Sequence, residues 1–428
     1  MLSLDITNSL AKTITPSFGI PEQELSALQT TMKRYIEDWL SERKKGLHAW
    51  SMDPYDKKTI DAVKEAALAA KACRIRSVLW IGTGGSGLGP KALREVFEGP
   101  DTVEFHMLDS LDPAIFDLTM KLIDWKRTLI VIASKSGGTL EPMSLFFACF
   151  EKLKKVMKEK TSERVIAVTD ANAGVLRSFC LKNNIRLLPI TQGVGGRYSI
   201  FTPVGLLPVA LLGGDLDSFI RGAREMDTVC QNTLIDENPA ALLACVQFLL
   251  DTKKGYQIRV LMPYSQRLEQ FAKWNQQLIG ESLGKTETHN PIPVSAIGTQ
   301  DQHSLLQQWM AGPRKFFHIF LREETKPLVQ VPTEIEEQFS YIAGKSLGTL
   351  MDACLEGTAL ALAGAKRPSV TLTVSELNAK TLGALFFFFM TEAVLLGKLY
   401  RIDPYGQSAV EAGKKITKKI LEEVNNEE

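Results

Sequence analysis

The chain is predicted to be an α/β protein of two tandem, doubly wound parallel sheets, flanked by a helical N-terminal arm and a C-terminal helix. Three observations lead there. Its 428 residues exceed what one hydrophobic core usually organises. From about Arg76 short β-rich runs alternate with stretches of helical spacing, the pattern of a parallel sheet covered by helices. That alternation pauses in LLGGDLD, at Leu212–Asp217, and then resumes.

In chain order, residues 1–70 read as a mostly helical arm. Residues 71–215 read as the first α/β unit, with strands at SVLWIG, VEFHMLD, TLIVIAS, RVIAVTD and IRLLPI and helices such as PKALREVFEG and EPMSLFFACFEKLKKVMKEK. Residues 216–400 read as the second unit, with strands at YQIRVLMP, VSAIGT, FFHIFL and SVTLTV. Residues 401–428 end in a charged helix, KKITKKILEEVNNEE. The apolar stretch TLGALFFFFMTEAVLLG is uncharged only between Lys380 and Glu392, short of the ~20 residues that span a bilayer, and reads as a buried core helix.

Composition narrows the function classes. A formal net charge of +1 argues against a dedicated nucleic-acid surface, which needs a basic excess on one face. The six cysteines are scattered through apolar runs such as FFACF and LLACV, with no CxxC pair and no Cys/His spacing that suggests zinc; free buried thiols are expected. The N-terminus carries no basic region followed by an apolar one, so no signal peptide is expected. The expected setting is cytoplasmic, with no membrane partner and no metal.

Ligands of open α/β sheets collect beyond the carboxyl ends of the strands. The first strand runs into GTGGSGLG, Gly82 to Gly89. Glycines there let backbone amides crowd an anion at a helix N-terminus. Gly82, Gly84 and Gly87 also satisfy GxGxxG, with Asp109 ending the next strand, so a dinucleotide site is a rival reading. The third strand ends in SKSGGTLEP, which sets Ser134, Lys135, Ser136 and Thr139 just before a helix. Hydroxyls, amides and a helix N-terminus suit a phosphate monoester, which carries about −1.5 to −2 charges. A lone Ser/Thr cluster is as often only a helix cap. Two such loops at neighbouring strand ends favour an anionic ligand, to which Ser86 adds a further hydroxyl.

Six segments in this order, GTGGSGLGP, SKSGGTLEP, GGRYSIFTPVGLLP, QQLIGESLGK, GTQDQHSLLQQ and DPYGQSAVEAGKK, resemble the signatures of the glucose-6-phosphate isomerase family, in its compact bacterial form. The resemblance spans most of the chain. It implies two sugar-isomerase (SIS) domains and the reversible conversion of glucose 6-phosphate to fructose 6-phosphate through a cis-enediolate, without metal or other cofactor. By the same resemblance Glu281 is the base that moves the C1/C2 proton, and His303 and Lys414 open the sugar ring. His303 would reach the partner's site in a homodimer. Arg197, protonated throughout, stabilises the enediolate. Gly85, Ser86, Ser134, Lys135, Ser136, Thr139, Gln277 and Gln407 bind substrate, and Glu141 lies near the site. His318, in the apolar run KFFHIF, reads instead as a core residue. Gly138 stands where relatives often carry a threonine. A nicotinamide-dependent dehydrogenase would account for GTGGSG and Asp109 but not for the later motifs. A non-catalytic sugar-phosphate sensor would keep the loops without needing Glu281, His303 and Lys414 together.

Overall fold

The computed structural model describes residues 2–424. The first sheet holds β2 (Ser77–Ile81), β3 (Glu104–Leu108), β4 (Thr128–Ala133), β5 (Val165–Asp170) and β6 (Arg186–Ile190). They are parallel throughout, in the order β3-β2-β4-β5-β6. β2 and β4 are buried at every position, as expected of central strands covered on both faces. The second sheet repeats the plan with β7 (Ile258–Pro263), β8 (Ile292–Ser295), β9 (Phe316–Thr325) and β10 (Ser369–Glu376), in the order β8-β7-β9-β10.

One edge departs from expectation. Leu2–Asp5, in the arm read as helical, forms β1 and pairs antiparallel with β10. Four residues alternating half-buried and exposed carry too short a pattern to be read as a strand without their partner. VSAIGT also yields a strand displaced toward its N-terminal side, β8 ending at Ser295.

Leu212–Asp217 holds the turn, Leu212–Asp215, between helices Pro203–Leu211 and Leu216–Cys230. Gly213 there takes a positive φ of 78°, and Asp215 caps the second helix by accepting from Ser218 N–H. The apolar helix Ala379–Tyr400 is long and apolar enough to cross a membrane, but 94% of its apolar window is buried inside the protein. Phe386 meets Trp274 edge-on at 4.5 Å between ring centroids, and Phe387 lies 5.3 Å from Trp50. One continuous core therefore runs from the N-terminal arm through both units. A buried pair, Arg259 Nη1 to Glu392 Oε1 at 2.5 Å, anchors this helix to β7. His318 is fully buried against Trp309, and burial pushes its imidazole down to about 3. All six cysteines are free; Cys354 is exposed and Cys73 half-buried, contrary to uniform burial.

Candidate active site

In the first sheet the strand order reverses direction between β2 and β4, which is where an open sheet leaves a crevice for ligands. The order is that of flavodoxin-like sheets rather than the six-stranded dinucleotide fold. A cleft of about 1490 Å³ opens there. Its floor is the loops after β2 and β4, and its far wall is the helix Glu269–Leu283 from the second unit. That helix packs on Gly85–Phe97, where Gln270 N–H donates to Glu95 Oε2 at 2.9 Å. The contact carries Gln277 and Glu281 over the first sheet's loops.

Two helix N-termini face the cleft. Gly85–Phe97 begins directly after Gly84, whose φ of 56° only glycine adopts freely in the required turn. Gly85 has no room for a side chain, because a Cβ there lies 2.1 Å from Gly196 C and 2.2 Å from Gly196 O. The second helix, Leu140–Met157, has Thr139 at its N-cap, yet the Thr139 side chain makes no capping bond. Its hydroxyl instead sits 3.4 Å from Ser136 Oγ. The capping explanation of this cluster is therefore not what the fold uses. Ser134 is 3% exposed and its Oγ has no protein partner, so a buried hydroxyl stands ready for a ligand. Lys135 donates to Val194 O at 2.8 Å, tying this loop to the Gly195–Arg197 segment.

The opposite wall is organised around Arg197, 3% exposed. Nε donates to Ser282 Oγ at 2.8 Å, and Nη1 to Glu281 Oε2 at 3.2 Å and to Gln407 Oε1. Nη2 donates to Pro404 O at 2.6 Å and Gly406 O at 3.1 Å. A guanidinium has five N–H bonds, and all five are committed. Glu281 Oε1 accepts from Gln277 Nε2 at 2.9 Å, one helical turn away. Both carboxylate oxygens are thus held, while the side chain keeps 28% exposure toward the cleft. Lys285, two residues beyond the end of the same helix, donates to Asp403 O and Tyr405 O. Burial, then the nearby Arg197 charge, lowers the pKa of this ammonium.

The cleft brings together Gly85, Ser86, Ser134, Lys135, Ser136, Thr139, Arg197, Gln277, Glu281, Gln407 and Lys414, all foreseen, with Glu141 beside them. Lys414 lies on the helix Glu411–Val424, its ammonium 2.7 Å from Glu411. His303 is not among them. It ends a short turn beyond β8, exposed and outside the cleft. Among the described residues no histidine lines the cleft, and no three of His, Cys, Asp and Glu come together as metal ligands. Sequence reasoning missed Tyr405, Ser282 and Lys285. All three lay inside recognised motifs, DPYGQSAVEAGKK and QQLIGESLGK, but nothing local marks what they touch.

The dinucleotide reading loses its carboxylate. Asp109 is held by Lys91 at 2.5 Å between Oδ2 and Nζ.

Comparison with known proteins agrees. The family model described as phosphoglucose isomerase matches residues 54–321 and 357–428. A glucose-6-phosphate isomerase of Carboxydothermus hydrogenoformans is 34% identical over 364 residues, 80% of this chain and 78% of that protein. The crystal structure of a hypothetical protein from Thermus thermophilus superposes with a TM-score of 0.90 at 31% identity, covering 98% of this chain and 100% of that one. A glucose-6-phosphate isomerase structure from Chlamydia trachomatis shares the fold, with a TM-score of 0.82 at 21% identity over 98% of this chain and 93% of that one.

Proposed function

The chain belongs to the phosphoglucose isomerase family, and on that premise we propose how its residues divide the work of the reaction. The reaction is the reversible aldose–ketose interconversion of glucose 6-phosphate and fructose 6-phosphate. It requires a phosphate anchor, an opened ring, a proton moved between C1 and C2, and a stabilised enediolate.

The phosphate is assigned to the loops after β2 and β4. Two helix N-termini and the hydroxyls of Ser86, Ser134, Ser136 and Thr139 supply donors to its oxygens, and Lys135 adds positive charge. Glu281 is assigned the proton transfer. Its orientation between Arg197 and Gln277 is the observation that carries the reading, because a base must be fixed relative to the carbon it deprotonates. Taking the C2 proton leaves an enediolate, and returning it to C1 gives the ketose. Arg197 is assigned to stabilise that anion. With every N–H already committed, it does so by its nearby buried charge rather than by a free donor. Gln407, which accepts from Arg197 and lines the cleft, is assigned to contact the sugar.

Ring opening is assigned to Lys414 and to a histidine. Because no histidine of the described residues lines this cleft while His303 is exposed elsewhere, the reading is a homodimer in which each subunit's His303 serves its partner's site. The homodimer places two such sites per assembly. Free thiols at all six cysteines support a reducing, cytoplasmic setting. The two units are read as SIS domains at 71–215 and 216–400, with the arm at 1–70 and the tail from 401.

A coupled assay for glucose 6-phosphate formed from fructose 6-phosphate, without added metal, tests the activity. Glu281→Gln tests the mechanism: C2-proton exchange with solvent should fall by about 10²–10⁴-fold while a phosphate ligand still binds. Near-normal turnover in that variant would overturn the assignment.

A further inference from the structure

The segment Asp403–Gln407 is held from two sides. Its carbonyls at Asp403, Pro404, Tyr405 and Gly406 accept from Lys285 and Arg197. Besides the Gln407 side chain, which accepts from Arg197, a second side-chain tether runs the other way, into the N-terminal arm. Tyr405 Oη accepts from Trp50 Nε1 at 2.8 Å and lies 2.5 Å from His48 Nδ1. His48 Nε2 lies 2.8 Å from Glu42 Oε2, which also accepts from Lys398 Nζ at 2.7 Å.

One direction of donation fits the whole chain of bonds. Indole N–H only donates, so the tyrosine oxygen accepts it and is left able to give its own proton to Nδ1 in the tautomer protonated at Nε2. Nε2–H then faces the carboxylate, which Lys398 keeps ionised. Burial lowers the His48 pKa, in keeping with the neutral tautomer this direction needs. His48 itself is 9% exposed and sits in the left-handed region, at φ 56° and ψ 40°. Such a conformation in a non-glycine residue persists where the surroundings over-determine it. The Tyr405 ring lies 5.2 Å from that of Tyr198, whose hydroxyl is 3.0 Å from Ser282 Oγ, the acceptor of Arg197 Nε.

We propose that His48 is a positioning residue for the isomerisation, acting through the Tyr405 hydroxyl to hold the Asp403–Gln407 segment and, through it, Arg197 and Gln407. This rests on the isomerase reading of the cleft. His48 does not line the cleft, so its effect falls on the alignment of groups that act in the transition state.

The test uses the full-length protein with His48→Ala, His48→Asn and Tyr405→Phe. Asparagine keeps an acceptor near the place of Nδ1 and tolerates the left-handed backbone better than alanine, so His48→Asn is the conservative variant. His48→Ala should lose about 10- to 100-fold in kcat with KM for fructose 6-phosphate little changed. His48→Asn should recover most of that loss, and His48→Ala/Tyr405→Phe should be no worse than His48→Ala. Amide hydrogen exchange across 403–410 should quicken in His48→Ala and not in His48→Asn. Equal kcat in wild type and His48→Ala, or losses that add in the double variant, would overturn the proposal. If His48→Ala does not fold, unchanged kcat in Tyr405→Phe overturns it equally. If the wild-type chain itself shows no turnover, the reading of the cleft fails; the exchange experiment then decides the positioning role alone, unchanged exchange refuting it.

Discussion

Replacing Gly85 by alanine probes the junction between the two walls of the cleft. A Cβ at this position lies 2.1 Å from Gly196 C, 2.2 Å from Gly196 O and 2.5 Å from Arg197 N. All three are backbone atoms, so no side chain can swing aside. Moving from 2.1 Å to ordinary contact at 3.4 Å demands a displacement of about 1.3 Å, the difference between the two, shared between the helix start and the Gly196–Arg197 peptide. Arg197 cannot follow freely, because its guanidinium is bonded to Glu281, Ser282, Gln407 and two carbonyls. A misplacement near 1 Å typically costs about 10²-fold in rate. We therefore expect Gly85→Ala to lower kcat/KM for fructose 6-phosphate by about 10²-fold or more, measured in the coupled assay, with thermal unfolding recorded alongside. Gly138→Ala is the control: a Cβ there meets nothing within 4 Å, and the backbone is not in the left-handed region. Gly85→Ala with wild-type kcat/KM, or Gly138→Ala with an equal loss, would refute the reasoning.

Ser134→Ala removes a buried hydroxyl that has no protein partner, so stability should hold or rise slightly while the KM for sugar phosphate climbs by up to about tenfold; a stability loss without a KM change contradicts the assignment to phosphate. Asp53 is 3% exposed, and burial lifts its carboxyl from 3.8 to about 7 against the bond from Thr191. The folded chain thus keeps a proton that the unfolded chain releases, so this group's stability contribution is full below about pH 4 and declines as pH rises toward 7. Asp53→Asn should flatten that decline, read from urea midpoints at pH 4.5 and 7.5; an unchanged slope would show that Asp53 is not its source. Mixing inactive His303→Ala and Glu281→Gln subunits should regenerate activity, since a mixed dimer carries one site with both groups intact; no recovery in verified mixed dimers would rule out a shared site.

Residue type and spacing were enough to reveal the alternation of strands and helices, because a parallel sheet buries its strands on both faces and writes itself as apolar runs. They also revealed the loops after β2 and β4, because glycines and hydroxyls cluster next to one another in the chain. Glu281 and Lys414 were singled out only through the resemblance of their motifs, since each alone has the look of an ordinary surface residue, whereas Arg197 stood out already by its place after two glycines. What the chain order could not express is contact across 84 to 357 positions: Arg197 on Glu281, Arg197 on Gln407, His48 on Tyr405. The antiparallel β1 escaped for the same reason, its pattern having meaning only beside β10. Local sequence determined which segments present donors to an anion. Only the packing of Glu269–Leu283 over Gly85–Phe97 decided that a carboxylate from one unit faces the anion loops of the other, because that distance is set by the shared core and not by neighbours in the chain.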